Sequence, residues 1–194
     1  VDLFMDPDKL GGDVRAHLGN EVAIHPGDAM EGVLQALEGP VLLDKASCPL
    51  WFAEKLAASG NDLIWGRDPC VLPKATKNAA ELDGMRAAHL RDGAAMSRFL
   101  CWLDSALDRG ETLTEIDVVT RLEEFRAERG DLEDISFETI AGSGPNGAIV
   151  HYRVTHDTNR TIVPGDLLLV DSGAQYPDGT TDITRTMATG PVTA

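Results

Sequence analysis

Basic residues are scarce in this chain. Its 17 Lys and Arg stand against 32 Asp and Glu, a formal net charge of −15 over 194 residues. That excess of acid argues against a nucleic-acid partner, because phosphate backbones are held by clusters of Lys and Arg. Cysteine is scarce too: Cys48, Cys70 and Cys101 are odd in number and make no C-x-x-C pair. Neither a disulfide framework nor a thiolate metal site is expected, and the three read as reduced, buried thiols of a cytoplasmic protein. No apolar run approaches the roughly 18 residues of a membrane span, so no membrane partner is expected. No basic stretch followed by an apolar one marks a secretory signal. The chain starts on Val1, and its end, GPVTA, does not read as a natural terminus, so a fragment of a longer protein is expected. With 43% hydrophobic and 25% charged residues, the composition is that of a soluble globular protein with a real core.

The first third alternates short apolar runs with helical stretches. Residues 1–5, 22–24, 41–43 and 63–65 read as strands. Residues 29–37 carry a helical stripe of Met30, Val33, Leu34 and Leu37, and Pro49 opens a helix that reaches about residue 58. Such alternation predicts an α/β segment with a largely parallel sheet. Asp44, at the end of a strand, is its one weak site candidate. Residues 68–77, with Pro69 and Pro73, read as a linker.

Two helices come next. Asn78 with Glu81 three residues on is a capping-box pattern, and Leu82, Met85, His89, Met96, Phe99, Leu100 and Leu103 form the stripe of a long helix ending near Gly110. His89 on that stripe reads as a packed core residue. Thr114 caps a second helix that reaches about Arg129, with Gly130 beyond it and Ile116, Val119, Leu122 and Phe125 as its buried face. Beyond Gly130 the pattern changes to strands, over residues 135–141 and 148–154 and then in a hairpin over 166–187. Helices and then an antiparallel sheet predict an α+β arrangement.

The hairpin reads DLLLVDSGAQYPDGTTDITRTM. Four apolar residues at 167–170 predict a strand covered on both faces and leading into Asp171. Buried there, a carboxylate loses its water and needs compensation, most simply from a cation. An even-length turn at Pro177-Asp178-Gly179 places Asp182 on the same face as Asp171, opposite or diagonal to it. Two carboxylates so placed suit a hard divalent ion. The same residues also allow Asp171 to open an Asp-Ser-Gly turn while Asp182 stands in solvent.

Residues 142–147, GSGPNG, match G-x-G-x-x-G, but the run from Ala148 to Tyr152 is β-rich rather than helical. A dinucleotide site is therefore rejected in favour of a tight β–β connection. His151, among Ala148, Ile149, Val150 and Tyr152, would be desolvated and held neutral, fit to shuttle a proton or bind an oxyanion. A satisfied core histidine is the plainer reading of that position taken alone.

Together, GSGPNGAIVHY and VPGDLLLVDSGAQYPDGTTDITRT resemble the catalytic core of the Xaa-Pro aminopeptidases (aminopeptidase P). These are "pita-bread" metallopeptidases, relatives of methionine aminopeptidase, prolidase and creatinase. PKATKNAAELDGMRAAHLRDGAAM resembles the start of the catalytic domain in their three-domain, cytosolic-type members. The resemblance implies a fold in two parts. Residues 1–70 would be the later part of a creatinase-like α/β domain. Residues 71–194 would be the N-terminal, incomplete half of an α+β pita-bread domain.

It also implies a chemistry. Asp171 and Asp182 would bind two divalent metal ions, usually manganese, and His151 would position substrate or shuttle protons. The substrate would be a peptide with proline in second position, cleaved by a metal-activated hydroxide. Prolidase, or a non-peptidase relative of the creatinase or binding-module kind, is the alternative. The family's ligand set is two Asp, one His and two Glu, and the His and both Glu come after the hairpin, beyond Ala194. This piece is therefore expected to be inactive alone and to expose apolar surface that partner contacts cover. The whole protein is expected to be a cytoplasmic homodimer.

Overall fold

Val1–Thr76 and Lys77–Ala194 form two units of the chain. A computed structural model describes residues 1–191. In the first unit, β1 (Asp2–Phe4) pairs in parallel with β2 (Ala23–His25), and β3 (Val41–Leu43) with β4 (Leu63–Trp65). The helices α1 (Gly12–Leu18), α2 (Met30–Gln35) and α3 (Leu50–Ala58) fill the connections, which is the expected α/β alternation. A small core of Leu43, Ala53 and Leu56 is bordered by Leu34, Val41 and Leu63. Asp44 is used by the backbone: its carboxylate accepts from the amides of Ala46 and Asp68, each at 2.9 Å. Those bonds, Asp68's first, hold its carboxyl below the usual aspartate range. The expected linker contains a short helix, α4 (Val71–Ala75). The cysteines are not buried: Cys70 and Cys101 are exposed and Cys48 is half-buried.

The second unit starts with α5 (Ala79–Asp108), closed at its N-terminus by the Asn78–Glu81 capping box. Gly110 lies just past its end at φ +72°, a conformation that favours glycine. Next, α6 (Glu115–Ala127) is closed by a second box, Thr114 with Asp117. The sheet contains β5 (Asp134–Ser143), β6 (Leu167–Tyr176), β7 (Gly179–Thr180) and β8 (Ile183–Ala188). All pairings are antiparallel, with β6 between β5 on one side and β7 and β8 on the other. This is the α+β arrangement read from the pattern. No helix among the described residues is long and apolar enough to cross a membrane.

Several details depart from the expected pattern. β6 is covered on one face, not two: Leu168, Val170, Ser172, Ala174 and Tyr176 are buried, whereas Leu167 is 53% exposed and Leu169 half-buried. The buried face packs on Met96, Phe99 and Leu103 of α5 and on Val118, Leu122 and Phe125 of α6. On α6 the buried residues include Glu115 and Arg126, while Ile116 and Val119 are only half-buried. His89 lies on the exposed side of α5, its ring nitrogen on the Met85 carbonyl at 2.9 Å.

The helices and the sheet are joined by charge as well as apolar contact. Arg126 donates through Nε and Nη2 to the two oxygens of Asp92, at 2.7 and 3.0 Å, and both side chains are fully buried. Tyr176 donates its hydroxyl to Asp92 Oδ1 at 3.0 Å and Thr181 to Oδ2 at 2.9 Å. One carboxylate on α5 thus binds α6, the end of β6 and the segment after β7. Removing one member of such a pair leaves the other buried and uncompensated. Asp92→Ala is therefore expected to lower the unfolding free energy by roughly 3 to 5 kcal/mol, against roughly 1 kcal/mol for Tyr176→Phe. Urea unfolding of the two variants checks this, and equal, small losses would show that the ion pair is not the anchor.

Candidate metal centre

Asp171 and Asp182 stand on the open face of the sheet. Asp171 pairs with Thr184 and Ser172 with Ile183, so Asp182 falls opposite Gly173 and diagonal to Asp171. The turn keeps that register: Tyr176 pairs with Gly179 across Pro177 and Asp178. The turn is held from α5, where Gly84 and Gly179 let the backbones touch and Arg91 forms an ion pair with Asp178. That guanidinium holds the Asp178 carboxyl below the usual aspartate range.

Asp171 is half-buried rather than desolvated, because β6 is open on this face; Thr184 donates its hydroxyl to Asp171 Oδ1 at 2.8 Å. Asp182 is exposed. Both line an open cleft of about 580 Å³ with Phe137, Glu138, Ile140, His151 and Arg153. Glu138 and Arg153 form an ion pair there.

His151 reaches the cleft by another route than the expected one. Residues 148–154 are not a strand. After β5 the chain turns through a 3-10 helix, Gly144–Ala148, and runs on as an irregular loop to β6. GSGPNG therefore opens a 3-10 turn rather than a tight β–β connection. Ile149 and Val150 are 54% and 82% exposed. His151 is exposed as well, at φ +54°, the one non-glycine positive φ among the described residues. The desolvation expected for it does not occur.

Glu115, at the start of α6 and fully buried, fixes this loop. Its carboxylate accepts from Ser143 N at 2.7 Å, Asn146 Nδ2 at 3.0 Å, Tyr152 Oη at 3.0 Å and Arg160 N at 3.0 Å. Tyr152, next to His151, is buried, and burial raises its hydroxyl's pKa above the usual value. The β-branched pair Ile149–Val150 thus yields to a long-range anchor no local pattern encodes.

Glu115, Asp92, Arg126 and Thr181 lie outside the motifs legible in the sequence. A signal existed for two of them. Asp92 falls in step with Ala88, Ala95, Met96 and Phe99, and Arg126 four residues after Leu122, so each charge sits on an apolar stripe.

A hard divalent cation suits the donor set of Asp171 and Asp182, which is oxygen only and on one face. The pair does not complete a site: among the described residues no three His, Cys, Asp or Glu side chains converge to hold an ion.

Residues 83–194 match Metallopeptidase family M24, and residues 1–81 match the Creatinase/Prolidase N-terminal domain. The chain belongs to family M24. A protein of Aspergillus niger named "Probable Xaa-Pro aminopeptidase P" is 40% identical over 204 aligned residues, covering 98% of this chain and 33% of its own length. One of the same name in Coccidioides posadasii is 41% identical, over 98% of this chain and 31% of its own. The solved X-prolyl aminopeptidase of Caenorhabditis elegans, described as a cytosolic enzyme with a di-nuclear active site, is 32% identical. It superposes with a TM-score of 0.85 over 96% of this chain and 32% of its own. A Bacillus anthracis Xaa-Pro dipeptidase shares the fold at a TM-score of 0.70 and 22% identity, over 91% of this chain and 48% of its own. The chain spans about a third of the length of the curated relatives it matches.

The Glu115 anchor has a measurable consequence. Glu115→Ala leaves two backbone amides and two side-chain donors without their acceptor and releases the loop around exposed Arg153. Limited trypsin digestion is expected to cut after Arg153 several-fold faster than in the unaltered chain. An unchanged rate would show that the loop is held by something else.

Proposed function

We propose that the protein carrying this chain is a metallo-aminopeptidase that releases the N-terminal residue from peptides with proline in second position. The observation that supports this reading best is the diagonal placement of Asp171 and Asp182 on one cleft, in a chain of family M24. The 40% identity to proteins named Xaa-Pro aminopeptidase P supports the choice of substrate. In this reading residues 1–70 are part of the N-terminal domain and residues 71–194 the first half of the catalytic domain.

Asp171 and Asp182 contribute carboxylate oxygens to two divalent ions, manganese in this proposal. Bound there, such ions supply an activated water and polarise the scissile carbonyl. Thr184 orients Asp171 by the bond to its Oδ1. His151, exposed on its anchored loop at the cleft, holds the substrate or moves a proton at its ring. The Glu138–Arg153 pair lines the same cleft. We place the protein in the cytoplasm as a homodimer, with part of its open apolar face covered there.

Asp171→Asn and Asp182→Asn in the whole protein are each expected to lower kcat/KM on an Xaa-Pro peptide on the order of a thousandfold, several kcal/mol of transition-state stabilisation. Unchanged Xaa-Pro cleavage in either variant refutes the assignment. Residues 1–194 alone bring Asp171 and Asp182 to the cleft as ligands, the third carboxylate there, Glu138, being paired with Arg153, so they are proposed to be inactive. Calorimetric titration of that piece with manganese is expected to give weak, unsaturated binding, and tight uptake of two ions would overturn this part of the proposal.

A further inference from the structure

Asp182 comes directly after a residue that is fixed on every side. Thr181 is fully buried. Its amide donates to the Ala174 carbonyl at 2.9 Å, and its own carbonyl accepts from Ser136 Oγ at 3.1 Å. Its hydroxyl accepts from the Ala174 amide at 3.0 Å and donates to Asp92 Oδ2 at 2.9 Å. Asp92 is itself held by Nε and Nη2 of Arg126. Residues 181 and 182 lie between β7 and β8 and belong to neither strand. The regular ladder lapses there, and the Thr181 contacts replace it.

The opposite strand is shaped to receive them. A Cβ at Gly173 would stand 2.1 Å from the Thr181 carbonyl oxygen and 2.2 Å from Ser136 Oγ. A glycine two residues after Asp171 thus lets the backbone before Asp182 close onto β6. Thr181 points to the buried face, and Asp182 is turned to the cleft.

We infer that Thr181, anchored on the buried Asp92–Arg126 pair, is the positioning residue that fixes Asp182 relative to Asp171 for metal binding. The inference rests on the proposed metal site and deepens it. Threonine is suited to the task because one hydroxyl both accepts and donates, so it joins strand β6 to α5 through a single atom. Groups that orient a ligand in this way usually alter metal affinity ten- to a hundredfold when removed.

Manganese binding to the whole protein, read from the electron-paramagnetic-resonance signal of the free ion, tests it without recourse to activity. Thr181→Val keeps the shape and removes the hydroxyl; it is expected to weaken binding about tenfold or more. Thr181→Ser, which restores the hydroxyl, is expected to bind within about threefold of the unaltered protein, a smaller change than the loss of an orienting group brings. Melting temperatures of both variants are followed alongside. Asp182→Asn separates the two levels of the argument. If it weakens binding while Thr181→Val does not, the inference fails and the metal site stands. If Asp182→Asn binds as well as the unaltered protein, the metal site fails and the inference with it. If Thr181→Ser binds as weakly as Thr181→Val, the hydroxyl is not the agent and the inference is wrong. Should Thr181→Val not fold, Ser136→Ala removes the bond to the Thr181 carbonyl and carries the same expectation, and unchanged affinity there overturns it.

Discussion

The guanidinium of Arg126 and the carboxylate of Asp92 are both out of reach of water. Taking two such ions from solvent costs several kcal/mol each, and their attraction offsets this only when further hydrogen bonds satisfy what remains. For the carboxylate the hydroxyls of Tyr176 and Thr181 supply those bonds from the sheet, while Arg126 Nη1 has no partner among the described residues. The requirement runs both ways. The ion pair needs the sheet's hydroxyls in place, and the sheet's position against α5 and α6 is fixed by the ion pair. Apolar packing by Phe99, Leu103 and Leu122 supplies the bulk of the contact but tolerates sliding. A carboxylate with directional bonds on both oxygens does not.

The two faces of β6 divide the labour of packing and chemistry. The face with Leu168, Val170 and Ala174 is packed, and the face with Leu169 and Asp171 is open to the cleft. The period of two along a strand makes this division possible. Buried Glu115 does for the loop what Asp92 does for the sheet. It is a carboxylate without a buried cation, compensated by donors from four residues, and it holds the loop that brings His151 to the cleft.

What the sequence made legible was local. The Asn78–Glu81 capping box, the Thr114 cap, the parallel α/β alternation and the same-face relation of Asp171 and Asp182 arise from short-range patterns and an even turn. The failures share a cause. Residues 148–154 read as a strand because Ile149 and Val150 are β-branched, yet Glu115, more than 30 positions earlier, captures Asn146 and Tyr152 and bends the chain between them. Burial of Asp92 and Arg126 is hidden because a charged side chain on a helix is ordinarily solvated, and the partners that compensate each lie 34 or more positions away. The coverage of β6 is not encoded locally for a related reason. Four apolar residues in a row do not say whether the second face is covered, and Leu167 is left 53% exposed.

A side chain on the open face of a sheet touches little that could place it. Neither apolar packing nor the interior ion pair reaches Asp182 directly, since it is exposed. Its position has to be transmitted through the backbone from the residue before it. An unbroken strand would do this by ladder bonds alone and would leave the β8 segment free to breathe with the rest of the edge. In this fold Thr181, between strands β7 and β8, is tied by its amide, its carbonyl and its hydroxyl to β6, β5 and α5 at once. The glycine at 173 is what lets the backbone come close enough for those bonds. The buried charge, the missing side chain and the exposed carboxylate are thus consecutive links of one construction, in which rigidity made in the dry interior is delivered to the wet face where chemistry takes place.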